Sequence, residues 1–319
     1  MSPSRSPRIA VLGKSTPAGA PPGDELFDAV TKGGGTLVDG SEAEGIVWVD
    51  PGDPGGLAHA LEGSPTAWVQ LPFAGIEPFV AAGVVDDKRT WTCAKGIYGE
   101  SCAEHALAFM LVAAHRMHAH LRATSWTVED AKSEERRFHA RASVVIVGTG
   151  GIGRSLASML VPFEARVVAV NRSGRRLPEA QRTVTIDRLP EVLPEADYVV
   201  LAAATTDETK GMFDAAMLAR MKSDAWLVNV ARGALVDTDA LVDALEKRAI
   251  GGAALDVTAP EPLPDDHPLW SLDNAMVTPH IANTWVMGLP ALCALVTRNV
   301  AKFAAGQELD GLVDLARGY

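Results

Sequence analysis

Residues 144–160 constrain the fold of this chain more than any other stretch. Val144-Val145-Ile146-Val147 is a short β-branched run that breaks into Gly148-Thr149-Gly150-Gly151-Ile152-Gly153 and continues as Arg154-Ser155-Leu156-Ala157-Ser158-Met159-Leu160. Such a run reads as a buried parallel strand and the segment after it as a helix, so the glycines occupy a strand-to-helix turn. At a turn of this kind Gly148 permits the tight bend, Gly150 leaves the backbone open to a pyrophosphate, and Gly153 lets the helix lie close to the strand. The amides that begin the helix then face an anion. Glycine-rich turns also occur where nothing binds. Strand, turn and helix together point to a dinucleotide.

The rest of the chain repeats the alternation. Arg8–Leu12 reads as a first strand, followed by a helix near 24–31 and short strand candidates at 36–38, 46–49, 67–69 and 90–92, with helical or turn-rich pieces between them. A long helix is expected over 101–121 from the apolar face Ala103, Leu107, Met110, Leu111 and Ala114. A polar arm, 122–141, separates it from the glycine turn. Beyond the turn, strand candidates at 166–170, 198–201, 225–230 and 252–256 complete a doubly wound parallel sheet. Residues 281–305 read as mostly helical, kinked or restarted at Pro290.

A length of 319 residues suffices for two hydrophobic cores, and 47% hydrophobic with 22% charged residues is a globular composition. The net charge of −11 argues against a nucleic-acid or anionic-membrane surface, so an anionic substrate needs a local basic pocket. Cys93, Cys102 and Cys293 lack metal-ligand spacing and read as small buried residues in a reducing compartment. His115, His118 and His120 read as the polar face of a helix end, not a metal site. The N-terminal apolar run is too short for a signal peptide and no later segment is expected to span a bilayer, which makes the cytoplasm the expected location.

Polar residues at strand ends carry the chemistry. About 20 residues past the glycine turn, an NAD-selective fold carries an acid that binds the ribose 2′-hydroxyl; this chain has Asn171, Arg172 and Ser173 there, with Arg175 and Arg176 close by. Arg172 can grip a 2′-phosphate, which favours NADP(H) over NAD(H), the alternative being a solvated basic loop. Arg232 follows Leu227-Val228-Asn229-Val230-Ala231, Glu261 lies after Leu255-Asp256-Val257, and His280 follows Met276-Val277-Thr278-Pro279. Three strand-end polar groups on one sheet can converge. In the N-terminal half, the loop Ala74-Gly75-Ile76 can turn backbone amides toward a carboxylate, or Gly75 serves only the turn.

The blocks Asn229-Val230-Ala231-Arg232-Gly233, Asp256-Val257 with Glu261-Pro262-Leu263-Pro264 and His267-Pro268-Leu269-Trp270, and Thr278-Pro279-His280-Ile281-Ala282 resemble the signatures of NAD(P)-dependent D-2-hydroxyacid dehydrogenases. Gly99-Glu100-Ser101 with Ala103-Glu104-His105, and Thr206 with Glu208-Thr209-Lys210-Gly211-Met212, are similar to two more. The resemblance runs from about Leu71 to Val313-Asp314 and Gly318-Tyr319 and is weaker over the first 70 residues. It implies an α/β architecture of two Rossmann-like or flavodoxin-like domains, a substrate domain of 1–97 with 285–319 and an inserted cofactor domain of 98–284.

In that family Arg232 would bind the 2-keto acid, His280 would pass a proton to its carbonyl oxygen, and Glu261 would hold the other imidazole nitrogen. Residues 148–153, 171–173, Thr206, Val230, Ala231, Arg232, Asp256 and His280 would line the cofactor. Asp256 is set beside the nicotinamide amide, with a strand-end cap as the alternative, and the substrate carboxylate on the amides of Ala74, Gly75 and Ile76. His105 and His267 match family blocks and read as structural. Ala204 stands where the family has proline and Asn283 where it has glycine, both near the expected site. Two chain crossings imply closure over the substrate, and the long helix with its arm, including Trp126, implies a homodimer. A dinucleotide-sensing corepressor and a formate or phosphite dehydrogenase are the alternative functions. Glyoxylate, hydroxypyruvate, phosphoglycerate-type and bulkier keto acids all suit the pocket.

Overall fold

The computed structural model describes residues 6–14, 23–126 and 138–314. The chain forms two compact units, Met1–Tyr98 with Thr284–Tyr319, and Gly99–Asn283.

The first unit has five parallel strands, β1 (Arg8–Leu12), β2 (Thr36–Leu37), β3 (Gly45–Trp48), β4 (Trp68–Gln70) and β5 (Thr90–Thr92), in the order β2-β1-β3-β4-β5. This is the flavodoxin-like doubly wound order. Helices α1 (Asp24–Lys32), α2 (Pro54–Leu61) and α3 (Glu77–Ala81) connect the strands. β3 and β4 are buried at every residue, as a sheet covered on both faces requires.

The C-terminal helix, Trp285–Ala304, belongs to this unit and packs Leu292, Val296 and Val300 into one core with Leu26, Ala29 and Val30 of α1. Of the expected kink or restart at Pro290, the restart does not occur: the helix is continuous through that residue. The acceptor that Pro290 leaves without a donor is the Val286 carbonyl, in the exposed first turn, where solvent can satisfy it. Against the expectation that no segment is long and apolar enough to span a bilayer, this helix meets that criterion by length and composition alone. In this fold its apolar stripe faces α1. Beyond it, Leu312 bridges Thr92 antiparallel and Val313 N–H donates to Trp91 O, so the tail covers the β5 edge.

The second unit has seven parallel strands, β6 (Ser143–Val147), β7 (Arg166–Asn171), β8 (Arg182–Thr185), β9 (Tyr198–Leu201), β10 (Trp226–Asn229), β11 (Gly252–Leu255) and β12 (Ala275–Val277), in the order β12-β11-β10-β9-β6-β7-β8. Alternate residues of β6 serve two cores. Val144 and Ile146 meet α4 (Gly99–Ala114) and α6 (Gly151–Leu160), while Val145 and Val147 join the core on the opposite face, with Leu241 and Leu245 of a helix spanning Thr238–Glu246. β8 was not anticipated. Arg182-Thr183-Val184-Thr185 buries only Val184, the sparse pattern of an edge strand. From β6 the chain runs out to β7 and β8 and then returns to β9 on the other side. The carboxyl ends of β6 and β9 therefore flank the topological switch point, where a crevice opens.

The helix expected over 101–121 stops at Ala114; Arg116 takes φ +48° and a separate short helix, α5, covers Met117–His120. Arg116 in the left-handed region breaks the helix, and in the short helix that follows the His118 ring meets Trp226 edge-on at 5.0 Å. Residues 127–137 of the polar arm and Gly318-Tyr319 lie outside the described residues.

Candidate active site

The glycine turn has the geometry its spacing suggests. Gly148 sits at φ +105°, and a Cβ there would lie 2.5 Å from Ala202 O, so both backbone angle and space demand glycine. A Cβ on Gly153 would lie 2.0 Å from Gly148 O, which is how closely α6 approaches the turn. At Gly150 nothing lies within 4 Å of the added atom. Gly150 is also the N-cap of α6 and offers no side-chain cap, so the first amides of the helix remain open. Open space, free amides and the switch point coincide, and residues 148–153 fit a pyrophosphate.

At the end of β7, Asn171 is occupied locally. Its Nδ2 donates to Thr149 Oγ1 at 3.1 Å and to Arg175 O at 2.9 Å, tying the strand end to the glycine turn. Ser173 donates weakly to Asn171 Oδ1. Arg172, Arg175 and Arg176 are exposed, and their guanidinium groups have no partner among the described residues. Other exposed arginines are paired in some places, as Arg188 is with Glu191 and Arg248 with Asp273, and in others, such as Arg166 and Arg220, are not. The turn after β9 holds Thr206, whose N–H donates to Thr209 Oγ1 at 2.8 Å, and the buried Val230 and Ala231 follow β10.

The three strand-end groups come from β10, β11 and β12, which are neighbours in the sheet. Asn229, fully buried at the end of β10, donates Nδ2–H to Arg232 O at 2.9 Å and accepts Ala231 N–H at 3.1 Å, which fixes the turn carrying Arg232. Gly233 then lets that turn lie against the next loop, because a Cβ there would fall 2.0 Å from the Thr258 carbonyl. The same loop carries Glu261. Its Oε1 is 2.5 Å from His280 Nδ1 and its Oε2 accepts Thr258 N–H at 3.4 Å. His280 Nε2 is left without a partner among the described residues.

Each group's proton affinity follows from its neighbours. The hydrogen bond to Glu261, reinforced by the charges of Glu261 and Asp256, holds the His280 pKa above the ordinary histidine range despite burial and the Arg232 charge. The bond to His280 holds the Glu261 carboxyl below its ordinary range, with the Arg232 charge acting the same way. Arg232 is thus felt by both partners. Cys102 is pushed up to about 11, chiefly by burial, and stays a thiol.

His280 sits at φ +53°, in the left-handed region, which a non-glycine residue occupies only under constraint. The constraint is Asp256. It is only 2% exposed, and its carboxylate accepts Ile281 N–H, Ala282 N–H and the Thr278 hydroxyl, while its carbonyl accepts His280 N–H. The strand-end brace is therefore built into the fold, and the nicotinamide contact is not needed to explain a carboxylate at this position. Sequence reasoning missed Asn229 and Thr278 as supports; their positions inside the signature blocks were the available signal. His267 is structural, its Nδ1 accepting Leu269 N–H at 3.3 Å.

In the first unit the loop 72–76 is pinned from behind. Tyr98 donates its hydroxyl to Pro72 O at 2.7 Å, and Phe73 packs on Tyr98 and Trp285. The N–H groups of Ala74, Gly75 and Ile76 donate to nothing among the described residues. Asn283, where the family has glycine, accepts the Ser101 hydroxyl at 2.7 Å.

A parallel sheet with a glycine turn at its switch point, and an imidazole–carboxylate pair and an arginine at the ends of three adjacent strands, defines a nicotinamide-dependent oxidoreductase. The chain belongs to the D-isomer specific 2-hydroxyacid dehydrogenase family, whose NAD binding domain matches residues 106–282. It is 44% identical over 254 residues to an uncharacterized protein in the proB 3′ region of Corynebacterium melassecola, covering 79% of this chain and 83% of that one. A glyoxylate reductase of Pyrococcus furiosus is 35% identical over 66% of this chain, and the match spans 65% of that enzyme. Among solved structures, a D-isomer specific 2-hydroxyacid dehydrogenase of Xanthobacter autotrophicus, in complex with NADPH and MES, shares the fold with a TM-score of 0.82, 24% identity and coverage of 99% of this chain and 100% of that one. An NADPH-dependent glyoxylate/hydroxypyruvate reductase of Sinorhizobium meliloti, in complex with NADP and sulfate, does so with a TM-score of 0.78, 23% identity and coverage of 99% and 100%.

Proposed function

We propose that the chain reduces small 2-keto acids of the glyoxylate and hydroxypyruvate class to D-2-hydroxy acids, with NADPH preferred over NADH. The observation that carries the reading is the His280–Glu261 pair, which leaves one imidazole nitrogen bound and the other free beside a turn bearing Arg232.

Residues 148–153 would hold the pyrophosphate, and the unpaired Arg172, Arg175 and Arg176 the 2′-phosphate. When bound, the reduced nicotinamide supplies a hydride. The chain supplies the rest. Arg232 binds the 2-keto acid through its planar fork. His280 gives the proton on Nε2 to the carbonyl oxygen, and Glu261 holds the resulting imidazole by Nδ1–H in the right tautomer. In the reverse direction neutral His280 accepts the hydroxyl proton.

The named enzymes with glyoxylate and hydroxypyruvate activity among the relatives and fold neighbours support the substrate class. The test is a keto-acid panel followed at 340 nm with NADH and NADPH in parallel. Turnover of glyoxylate or hydroxypyruvate with NADPH preferred is the expected result. Preference for NADH would remove the role given to Arg172, and cofactor binding without turnover of any keto acid would remove the reaction itself. Trp126, Leu121 and Met117 expose apolar side chains next to the long helix, and on that ground we propose a homodimer as well.

A further inference from the structure

His105 lies on α4, far in sequence from the site, yet its ring ends there. Nε2 is 3.1 Å from Thr278 Oγ1 and 3.6 Å from Asp256 Oδ1. The direction of the bond follows from counting protons. A threonine hydroxyl has one, and at 2.6 Å that proton goes to the Asp256 carboxylate, which can only accept. Thr278 Oγ1 is therefore an acceptor toward His105, and Nε2 carries the hydrogen. The ring is set by Phe109, one helical turn along α4, which meets it edge-on at 4.5 Å.

We propose that His105 is a positioning residue for His280, acting through Thr278 and Asp256. The proposal rests on the reading of His280 as the proton donor. The Nε2–H of His105 fixes the Thr278 hydroxyl in the orientation that donates to Asp256. That carboxylate gathers the N–H groups of Ile281 and Ala282, and its own main-chain carbonyl takes His280 N–H at 2.8 Å. The left-handed turn at His280 is held by these bonds and by no glycine. Without the donor on α4 the hydroxyl is free to turn away, the carboxylate loses a partner in a buried site, and the imidazole no longer meets Glu261 at a fixed angle.

The experiment compares His105→Leu, which keeps bulk and removes the donor, with His105→Gln, whose terminal amide N–H reaches about as far as Nε2. Two quantities are read on the purified full chain. One is the titration of His280 by its ring proton–carbon NMR signal, with Glu261, Asp256 and Arg232 as the charged groups facing it. The other is kcat against KM with NADPH and the best keto acid of the panel. H105L lowers kcat about tenfold, as a small misplacement of an acid does, with nucleotide affinity unchanged, and shifts the His280 titration down toward the ordinary histidine range. H105Q restores both. Thr278→Val removes the relaying hydroxyl at nearly constant shape, gives the same signature, and carries the test if H105L does not fold.

A His280 titration and kcat equal to wild type in H105L and T278V overturn the proposal, as does an H105Q as impaired as H105L. A wild-type chain that turns over no keto acid sinks the reading of the reaction. The NMR titration still decides the positioning in that case.

Discussion

His280, exposed over 49% of its side chain, owes its proton affinity to a contest between partial desolvation, which favours the neutral ring, and Glu261, which favours the charged one. Glu261 wins, and the imidazolium persists above the ordinary histidine range. The donor in reduction is the charged form, so the reduction rate is full below this raised pKa and fades as pH rises through it, while oxidation gains over the same interval. Replacing Glu261 by glutamine takes away the charge. The falling limb of the reduction profile then moves to lower pH, and the rate near neutrality drops about 10- to 100-fold. Profiles of kcat/KM in both directions check this; an unmoved limb removes Glu261 from the role. His280→Ala is expected to cripple turnover with nucleotide affinity nearly intact, measured by NADPH fluorescence titration. These two residues are legible in sequence because each follows an apolar strand inside a signature block. The work of Asp256 is not. A strand-end carboxylate serves a ligand or a backbone turn equally well until its oxygens are seen to accept Ile281, Ala282 and Thr278.

At the scale of elements, the turn between β6 and α6 separates binding from folding. Gly150→Ala places its methyl in open space at an extended φ of −74°, so stability stays within about 0.5 kcal/mol while NADPH affinity falls because the methyl stands where the phosphates approach. Gly153→Ala drives its methyl into Gly148 O, and the helix must shift at a cost of about 1–3 kcal/mol. Urea denaturation and nucleotide titration of the two variants distinguish them; equal losses of stability would contradict the division of labour. Spacing alone suggested these roles, because a glycine turn is a local device. The buried network under the C-terminal helix is of the other kind. Asn299 Nδ2 donates to Gln70 Oε1 at 3.0 Å and to Asp310 O at 2.9 Å, and Gln70 Oε1 accepts Thr92, whose hydroxyl oxygen accepts Trp68 Nε1–H. In sequence nothing beside Asn299 marks it as buried, because its partners lie 229 and 11 residues away. Asn299→Leu strands the Asp310 N–H and weakens the tie to Gln70, and the expected loss is about 2–3 kcal/mol by urea denaturation.

Across the whole molecule, the parallel sheets were readable wherever strands are apolar runs, and β8 escaped because an edge strand needs only one buried side chain. Surface features behave differently, since an exposed apolar side chain in sequence looks like a buried one. Trp126 is 96% exposed and Leu121 77%, with Met117 one helical turn before Leu121 on the same side. Burying a tryptophan of 150–250 Å² at roughly 25 cal/mol per Å² contributes about 4–6 kcal/mol before the cost of association, and this is the ground on which a homodimer through this surface is proposed. Net charge opposes it, because two chains at −11 repel at long range. Salt screens that repulsion within about 10 Å at 0.1 M and leaves the apolar contact intact. Sedimentation equilibrium is therefore expected to show twice the chain mass at micromolar concentration, with association strengthening as salt rises. Trp126→Ala weakens the dimer by tenfold or more, as loss of a buried aromatic anchor does. A wild-type chain that sediments as a monomer at that concentration, or a W126A chain that associates as tightly as wild type, takes the dimer off this surface.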